Sequence, residues 1–114
     1  MSNVVSYVDR FGFLKVRSER REDTHVVALA GEFDISDVAR VSEALLCAEA
    51  TDARRIVLDL SDLVFMDSSG VRMIVEAQAR SRARAKHLVV TCRPGPVQRL
   101  FDLTDLAARA PLGA

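Results

Sequence analysis

Hydrophobic and polar positions along the chain change their period several times, and each change marks the boundary of a predicted element. Residues 13–17 alternate between apolar and polar side chains, as a strand does, and the polar residues 18–24 predict a turn. Residues 25–30 are almost wholly apolar, which predicts a buried strand that ends at Gly31. The patterned part of the chain therefore begins with two strands.

The period becomes helical between residues 36 and 50, where apolar side chains recur every three or four positions. Ser36 stands where a helix N-cap belongs, and Asp37 follows as an acid in the first turn. Together they predict that the first helix begins at Ser36.

The rest of the chain alternates between strands and helices. Residues 55–60 and 87–91 predict strands, whereas helical spacing begins again at Val71 and, more briefly, at residues 97–101. The tail after Thr104 predicts either a last short strand or a frayed end.

This order of elements predicts an α/β fold in which helices pack on a mixed or parallel sheet. The chain has 114 residues, enough for one domain with a substantial core, and we assign that domain to residues 13–114. Residues 1–12 are predicted to be a weakly structured arm or an edge strand.

Composition narrows the function classes. The 16 basic and 16 acidic residues cancel, whereas a domain that binds nucleic-acid phosphates usually has a basic excess. We therefore expect no direct contact with nucleic acid, and we interpret the run RSRARAK at residues 80–86 as a solvated helix face.

The N-terminus lacks the pattern of a signal peptide, and no apolar run approaches the roughly 20 residues of a membrane helix. We expect a cytoplasmic protein that does not enter a membrane, with Cys47 and Cys92 as buried thiols.

The sharpest local feature is VFMDSSGVRM at residues 64–73, where an apolar strand ends at Asp67 and a helical pattern resumes at Val71. Ser, Asp and Gly are common wherever a strand turns into a helix, so capping alone explains them. The alternative is that one serine is chemically modified, because strand-to-helix junctions of such sheets carry exposed chemistry. The residues leave both interpretations open, and one serine can cap the helix while the other is modified.

Motifs of catalysis are missing from the sequence. Met66 stands where a Gly-x-Ser-x-Gly nucleophile elbow has its first glycine. No phosphate loop, dinucleotide fingerprint or zinc-ligand spacing occurs. We therefore predict a protein that is not an enzyme and holds no metal or cofactor, and we rank a hydrolase that uses Ser68 or Ser69 lowest.

Three segments together resemble the bacterial anti-sigma factor antagonists, which are STAS-domain proteins. LDLSDLVFMDSSGVRMIVEA at residues 58–77 resembles the signature region of that family. LAGEFDISDV at residues 29–38 is similar to its first strand-to-helix junction, and VQRLFDLTDL at residues 97–106 is similar to its late helix. The resemblance implies a compact STAS-like domain, with a central mixed sheet of four or five strands backed by helices.

The resemblance also implies a function. Members bind an anti-sigma factor that is itself a serine kinase, and this binding releases a sigma factor. The kinase inactivates the antagonist by phosphorylating the serine after the aspartate of the motif, and a serine phosphatase reverses the modification. Carried over to this chain, the phosphorylated residue is Ser68, and Ser69 is then the expected cap of the helix. The residues expected to bind the partner are Asp34, Ser36, Asp67, Ser69, Gly70 and Arg72.

Two of these residues carry separate expectations. Gly70 removes side-chain bulk where a partner approaches closely. Arg72 stands where family members often have a small residue, and a long cation one turn into the helix can pair with a phosphate on Ser68 or select a different partner.

The resemblance also leaves a second role open, a scaffold subunit of a stress-sensing or transport assembly. It leaves open as well whether the chain associates with a second copy of itself.

Overall fold

The computed structural model describes the backbone of residues 6–11, 13–104 and 112–113, and the side chains of residues 13–101. Within these residues the chain forms the strands β1 (Ser6–Phe11), β2 (Leu14–Arg21), β3 (Thr24–Phe33), β4 (Arg55–Met66), β5 (His87–Thr91) and β6 (Leu112–Gly113). It also forms the helices α1 (Val38–Ala50), α2 (Ser68–Ala83) and α3 (Pro96–Thr104), with a 3₁₀ turn at Ile35–Asp37 before α1.

The strands form one sheet in the order β1-β2-β3-β4-β5-β6. The first three strands pair antiparallel, whereas β3, β4, β5 and β6 pair parallel. The crossovers through α1 and α2 run in the same direction across the sheet, so right-handed connections place both helices on one face. The predicted α/β fold with a mixed sheet backed by helices is confirmed, and the outer strands extend the sheet to six. The division of the chain at residues 12 and 13 stays a prediction.

The apolar face of the sheet and the helices share one core. In β2, Leu14 and Val16 are buried beneath the helices, whereas Lys15 and Arg17 are exposed on the opposite face. Each fully buried large apolar side chain contributes roughly 1.5–3 kcal/mol relative to an exposed one. Phe33 and Met66 are register partners at the ends of β3 and β4, so the core holds the two following strand-to-helix junctions side by side.

The predicted turn at residues 18–24 is wrong, because β2 continues to Arg21 and the hairpin turns at Glu22 and Asp23. One of these polar residues, Ser18, is buried in the strand, where its hydroxyl has a hydrogen-bonding partner. The Ser18 hydroxyl lies 2.6 Å from Nε2 of the buried His25. Composition alone does not distinguish such a polar strand from a loop.

The strand predicted to end at Gly31 instead continues to Phe33. Gly31 has φ of 103°, and an added Cβ would lie 2.1 Å from the Phe13 carbonyl oxygen. Glu32 donates its amide to that same carbonyl at 2.9 Å. Glycine therefore permits a close backbone approach within the sheet and does not end the strand.

The strand predicted at residues 55–60 continues as β4 to Met66. The pairing with β3 contains two register shifts, one between Ala28 and Ala30 and one between Gly31 and Glu32. Bulges of this kind absorb extra residues without ending a strand. They carry β4 directly to the DSSG junction.

Two smaller expectations also need correction. Arg80 lies in the run expected to be solvated, yet it donates to both carboxylate oxygens of the buried Glu49 on α1, at 2.8 and 3.1 Å. Cys47 is exposed and Cys92 is half-buried, so these cysteines are not the buried thiols that we expected. None of the helices within the described residues is both long and apolar enough to span a membrane.

Candidate functional site

The junction between β3 and α1 is closed by an aspartate. Asp34 accepts a hydrogen bond from the Ser36 amide at 2.9 Å and another from the Ser36 hydroxyl. Asp37 accepts in return from the Asp34 amide at 3.0 Å, which completes a capping box. The bonds from the Ser36 hydroxyl and amide hold the pKa of the Asp34 carboxyl below its usual value of 3.8.

The junction between β4 and α2 repeats this arrangement. Asp67 is the N-cap, and it accepts from the Ser69 amide at 3.0 Å and from the Ser69 hydroxyl. Ser68 is the first residue of α2 and is exposed, as the sequence predicts for an accessible serine at a helix N-terminus. Within the described part of the chain, the Ser68 hydroxyl has no hydrogen-bond partner.

These hydrogen bonds correct the predicted caps. Ser36 does not cap α1, because it lies inside the 3₁₀ turn and donates to Asp34. Ser69 likewise donates to Asp67, which is the true cap of α2. Both predictions chose the serine of an Asp-x-Ser turn when the aspartate, two residues earlier, accepts the bonds.

The two turns meet at a groove of about 410 Å³. Ile35 and Val38 form its first side, and Ile35 is 74% exposed. The second side comes from α2 and consists of Ser68, Ser69, Arg72, Met73 and Glu76. Apolar side chains thus lie beside a hydroxyl and charged groups, a combination that suits an apolar anchor of a partner surrounded by polar contacts.

The predicted site residues occupy different positions relative to this groove. Ser68, Ser69 and Arg72 line it, while Asp34 and Ser36 flank Ile35 on an exposed turn. Asp67 is half-buried and serves as the cap. The fold therefore brings both predicted junctions to one surface.

Gly70 has another role than the one predicted. It is buried, and an added Cβ would lie 2.5 Å from both Cγ and Sδ of Met66 and 3.1 Å from Phe33. Gly70 thus permits a close approach inside the domain, and its expected contact with a partner stays a prediction. This glycine fixes the start of α2 against the ends of β3 and β4.

Sequence reasoning missed the apolar half of the groove, which comprises Ile35, Val38 and Met73. One signal could have indicated Ile35. It is a large apolar residue between an aspartate and a serine in the first turn, at the same place that Ser68 occupies in the second. Within the described residues, no cluster of three or more His, Cys, Asp or Glu side chains is arranged to hold a metal ion.

Comparison with known proteins agrees with this architecture. Residues 16–112 match the family model described as Mlab, STAS domain. The anti-sigma F factor antagonist of Paenibacillus polymyxa is 31% identical over 103 residues, which cover 87% of this chain and 86% of that protein. The chain therefore belongs to the STAS domain family.

Two solved structures share this fold. An anti-sigma factor antagonist from Mycobacterium paratuberculosis superposes with a TM-score of 0.80 at 23% identity, covering 87% of this chain and 84% of that one. The Bacillus cell fate determinant SpoIIAA in its phosphorylated form superposes with a TM-score of 0.62 at 22% identity, covering 96% of this chain and 92% of that one.

Proposed function

We propose that this chain is an anti-sigma factor antagonist that binds a serine-kinase anti-sigma factor and thereby releases a sigma factor. Phosphorylation of Ser68 by that kinase switches the antagonist off, and a serine phosphatase restores it. The chain is then a substrate and a binding module, not an enzyme. The kinase supplies the nucleotide, the metal ions and the catalytic base.

The choice of serine carries this proposal. The hydroxyls of Ser36 and Ser69 are both engaged by capping aspartates, whereas the Ser68 hydroxyl is exposed and without a partner among the described residues. A kinase that reaches this junction therefore meets Ser68 first. A relative named as an anti-sigma F factor antagonist supports the antagonist role. SpoIIAA, which shares this fold, has a solved phosphorylated form, in keeping with a switch by phosphorylation.

The position of Ser68 also makes phosphorylation an effective switch. A phosphate adds about −1.5 to −2 charges at pH 7, and the helix N-terminus tolerates that charge, so the domain need not unfold. At an interface the same charge must be desolvated beside Asp67, at a cost of roughly 2–5 kcal/mol. Since about 1.4 kcal/mol is tenfold in affinity, binding should weaken by about one and a half to three and a half orders of magnitude.

The groove between the 3₁₀ turn and α2 is the contact surface that we assign to the anti-sigma factor. Ile35 offers an exposed apolar anchor, and Ser68 and Arg72 lie on the opposite side. The polar surroundings of this anchor are Asp34, Ser36 and Asp67, together with the charged Arg72 and Glu76 that line the groove. A phosphate on Ser68 would then project into the interface itself.

Calorimetric titration against a serine-kinase anti-sigma factor of the host tests this function, without nucleotide so that no phosphate is transferred. Wild type, Ser68→Ala and Ser68→Asn should bind alike, while Ser68→Asp should bind at least tenfold more weakly. Asn is the matched control, because it has the size of Asp without the charge. Wild-type affinity in Ser68→Asp would refute exclusion by charge.

The scaffold role predicts different behaviour. A scaffold subunit would elute from size-exclusion chromatography as part of a large assembly and would bind none of the host's anti-sigma kinases. That pair of results would replace the antagonist proposal. Association with a second copy of the chain would appear in the same experiment as a dimer.

A further inference from the structure

Ser68 and Arg72 lie four residues apart on α2, so they face the same side of the helix. Both line the groove beside Ile35. Side chains at this spacing have Cβ atoms about 5–6 Å apart, which a guanidinium on its long stem spans easily. The side chain of Arg72 is therefore within reach of a group attached to the Ser68 hydroxyl.

Arg72 is available for such a contact, and the acid that can compete for it is Glu76, four residues further along α2 in the same groove. Arg72 is exposed, and among the residues that the structure describes it has no ion-pair partner. An acid four residues before a base is also the favourable order on a helix, since it places the negative group towards the positive N-terminal end. A phosphate on Ser68 would stand in that order.

We propose that Arg72 clamps the phosphate of phosphorylated Ser68 and holds it across the rim of the groove. This inference rests on the proposed phosphorylation of Ser68 and concerns how the modified state blocks the surface. The planar guanidinium matches phosphate oxygens with two parallel hydrogen bonds. The clamp places the phosphate over the groove, where the partner is proposed to dock.

The test uses the full chain with phosphoserine installed at position 68 by genetic-code expansion, so it needs no kinase. Phosphorus NMR follows the second ionisation of the phosphate, which is near pH 6 in an unpaired phosphoserine. Arg72→Gln should raise this pKa by about 0.2 to 0.4 of a pH unit relative to wild type, because a nearby cation favours the dianion. Arg72→Lys should keep part of the effect as a point charge.

Arg84→Gln is the matched control. It removes the same charge from the other end of α2, about 24 Å from Ser68 at 1.5 Å per residue, which is several screening lengths in physiological salt. The phosphate pKa of this variant should equal that of wild type. An amide NMR spectrum of each variant verifies that the domain stays folded.

An unchanged phosphate pKa in Arg72→Gln would overturn the clamp, and so would an equal rise in Arg84→Gln, which would indicate a general effect of net charge. Neither result touches the proposed function, because that function is judged by the binding of Ser68→Asp. Conversely, if Ser68→Asp bound the anti-sigma factor like wild type, the proposed function would fail. The pKa of the installed phosphate would still test the clamp.

Discussion

The two strand-to-helix junctions of this domain share one plan and differ in the side chain that they expose. In each, an aspartate accepts from the amide and the hydroxyl of the serine two residues later, at Asp34 and Ser36 in the first and at Asp67 and Ser69 in the second. The middle residue faces outward in both. It is apolar Ile35 in the first turn and hydroxyl-bearing Ser68 in the second.

The turns also differ at their fourth position. Asp37 completes the hydrogen bonds of the first turn, whereas Gly70 lets the second turn sit directly on Met66 and Phe33. The first turn is therefore held mainly by polar contacts, and the second is also packed onto the core. The comparison teaches that one turn type can present an apolar anchor or a modifiable hydroxyl, according to its middle residue.

The largest expected effect is on partner binding through the middle residue of the first turn. Ile35→Ala should weaken binding of the anti-sigma factor about tenfold or more, since a buried anchor at an interface commonly contributes over 1.4 kcal/mol. Its unfolding free energy should change by less than about 0.5 kcal/mol, because Ile35 is already 74% exposed. Calorimetric titration and urea unfolding measure the two quantities.

Leu46→Ala is the control for that prediction. Leu46 is 43% exposed on α1 and does not line the groove. The Leu46→Ala protein should therefore bind the partner as tightly as wild type does. Equal affinities of Ile35→Ala and wild type would exclude the groove as the contact surface.

The packing of the second turn is tested next. Gly70→Ala should lower the unfolding free energy by about 1–2 kcal/mol, since overpacking costs about 1–3 kcal/mol and the better helix propensity of alanine returns up to about 1 kcal/mol. The clash is with the Met66 side chain, at 2.5 Å. In a Met66→Ala background the same change should therefore cost less or even stabilise. A stabilising Gly70→Ala in the wild-type background would contradict the tight contact.

The capping bonds are expected to matter somewhat less. Asp67→Ala and Asp34→Ala should each cost about 1 kcal/mol in urea unfolding, because each leaves a helix-end amide without its acceptor. Asparagine at either position should restore most of the loss, since its side-chain oxygen accepts equally well. If asparagine were as damaging as alanine, charge and not hydrogen bonding would hold the turns.

The smallest effect concerns the ionisation of the first turn. The folded protein holds the pKa of Asp34 below 3.8, so this carboxylate adds stability above that pH and loses it as pH falls through the folded pKa. Ser36→Ala removes the hydroxyl that contributes most and should move the pKa back towards 3.8. Carboxyl-carbon NMR titration reads both values, and an identical pKa in the variant would contradict the assigned cause.

Much of this fold could be predicted from periodicity, because alternation and helical spacing report which face of an element meets the core. The errors lie where contacts between distant residues decide. The buried Ser18 is accommodated in a strand because its hydroxyl hydrogen-bonds to His25. The polar Ser61 does not end β4, because it lies in a bulge of that strand. The Arg80 side chain turns inward because it donates hydrogen bonds to the carboxylate of the buried Glu49 on α1. None of these partners is a neighbour in sequence.

The candidate site was predicted only in part, because local patterns can be read from the sequence whereas contacts between distant residues cannot. The exposed Ser68 follows from a local junction, and so do the residues around it. The apolar side of the groove does not, because Ile35 and Met73 meet only when β3 and β4 end side by side. The packing of Gly70 on Met66 and Phe33 could not be predicted either, because the sequence does not reveal what lies beneath that glycine. The repeated Asp-x-Ser pattern is the local signal that links the two turns.

Peptide mapping of the phosphorylated protein tests the central claim most directly. The chain, purified from its host or incubated with the host's anti-sigma kinases and ATP, is digested and its phosphate located by mass spectrometry. The two-turn account predicts one phosphate, on Ser68, with Ser36 and Ser69 unmodified because capping aspartates hold their hydroxyls. A phosphate on Ser36 or Ser69, or none under any condition, would contradict it.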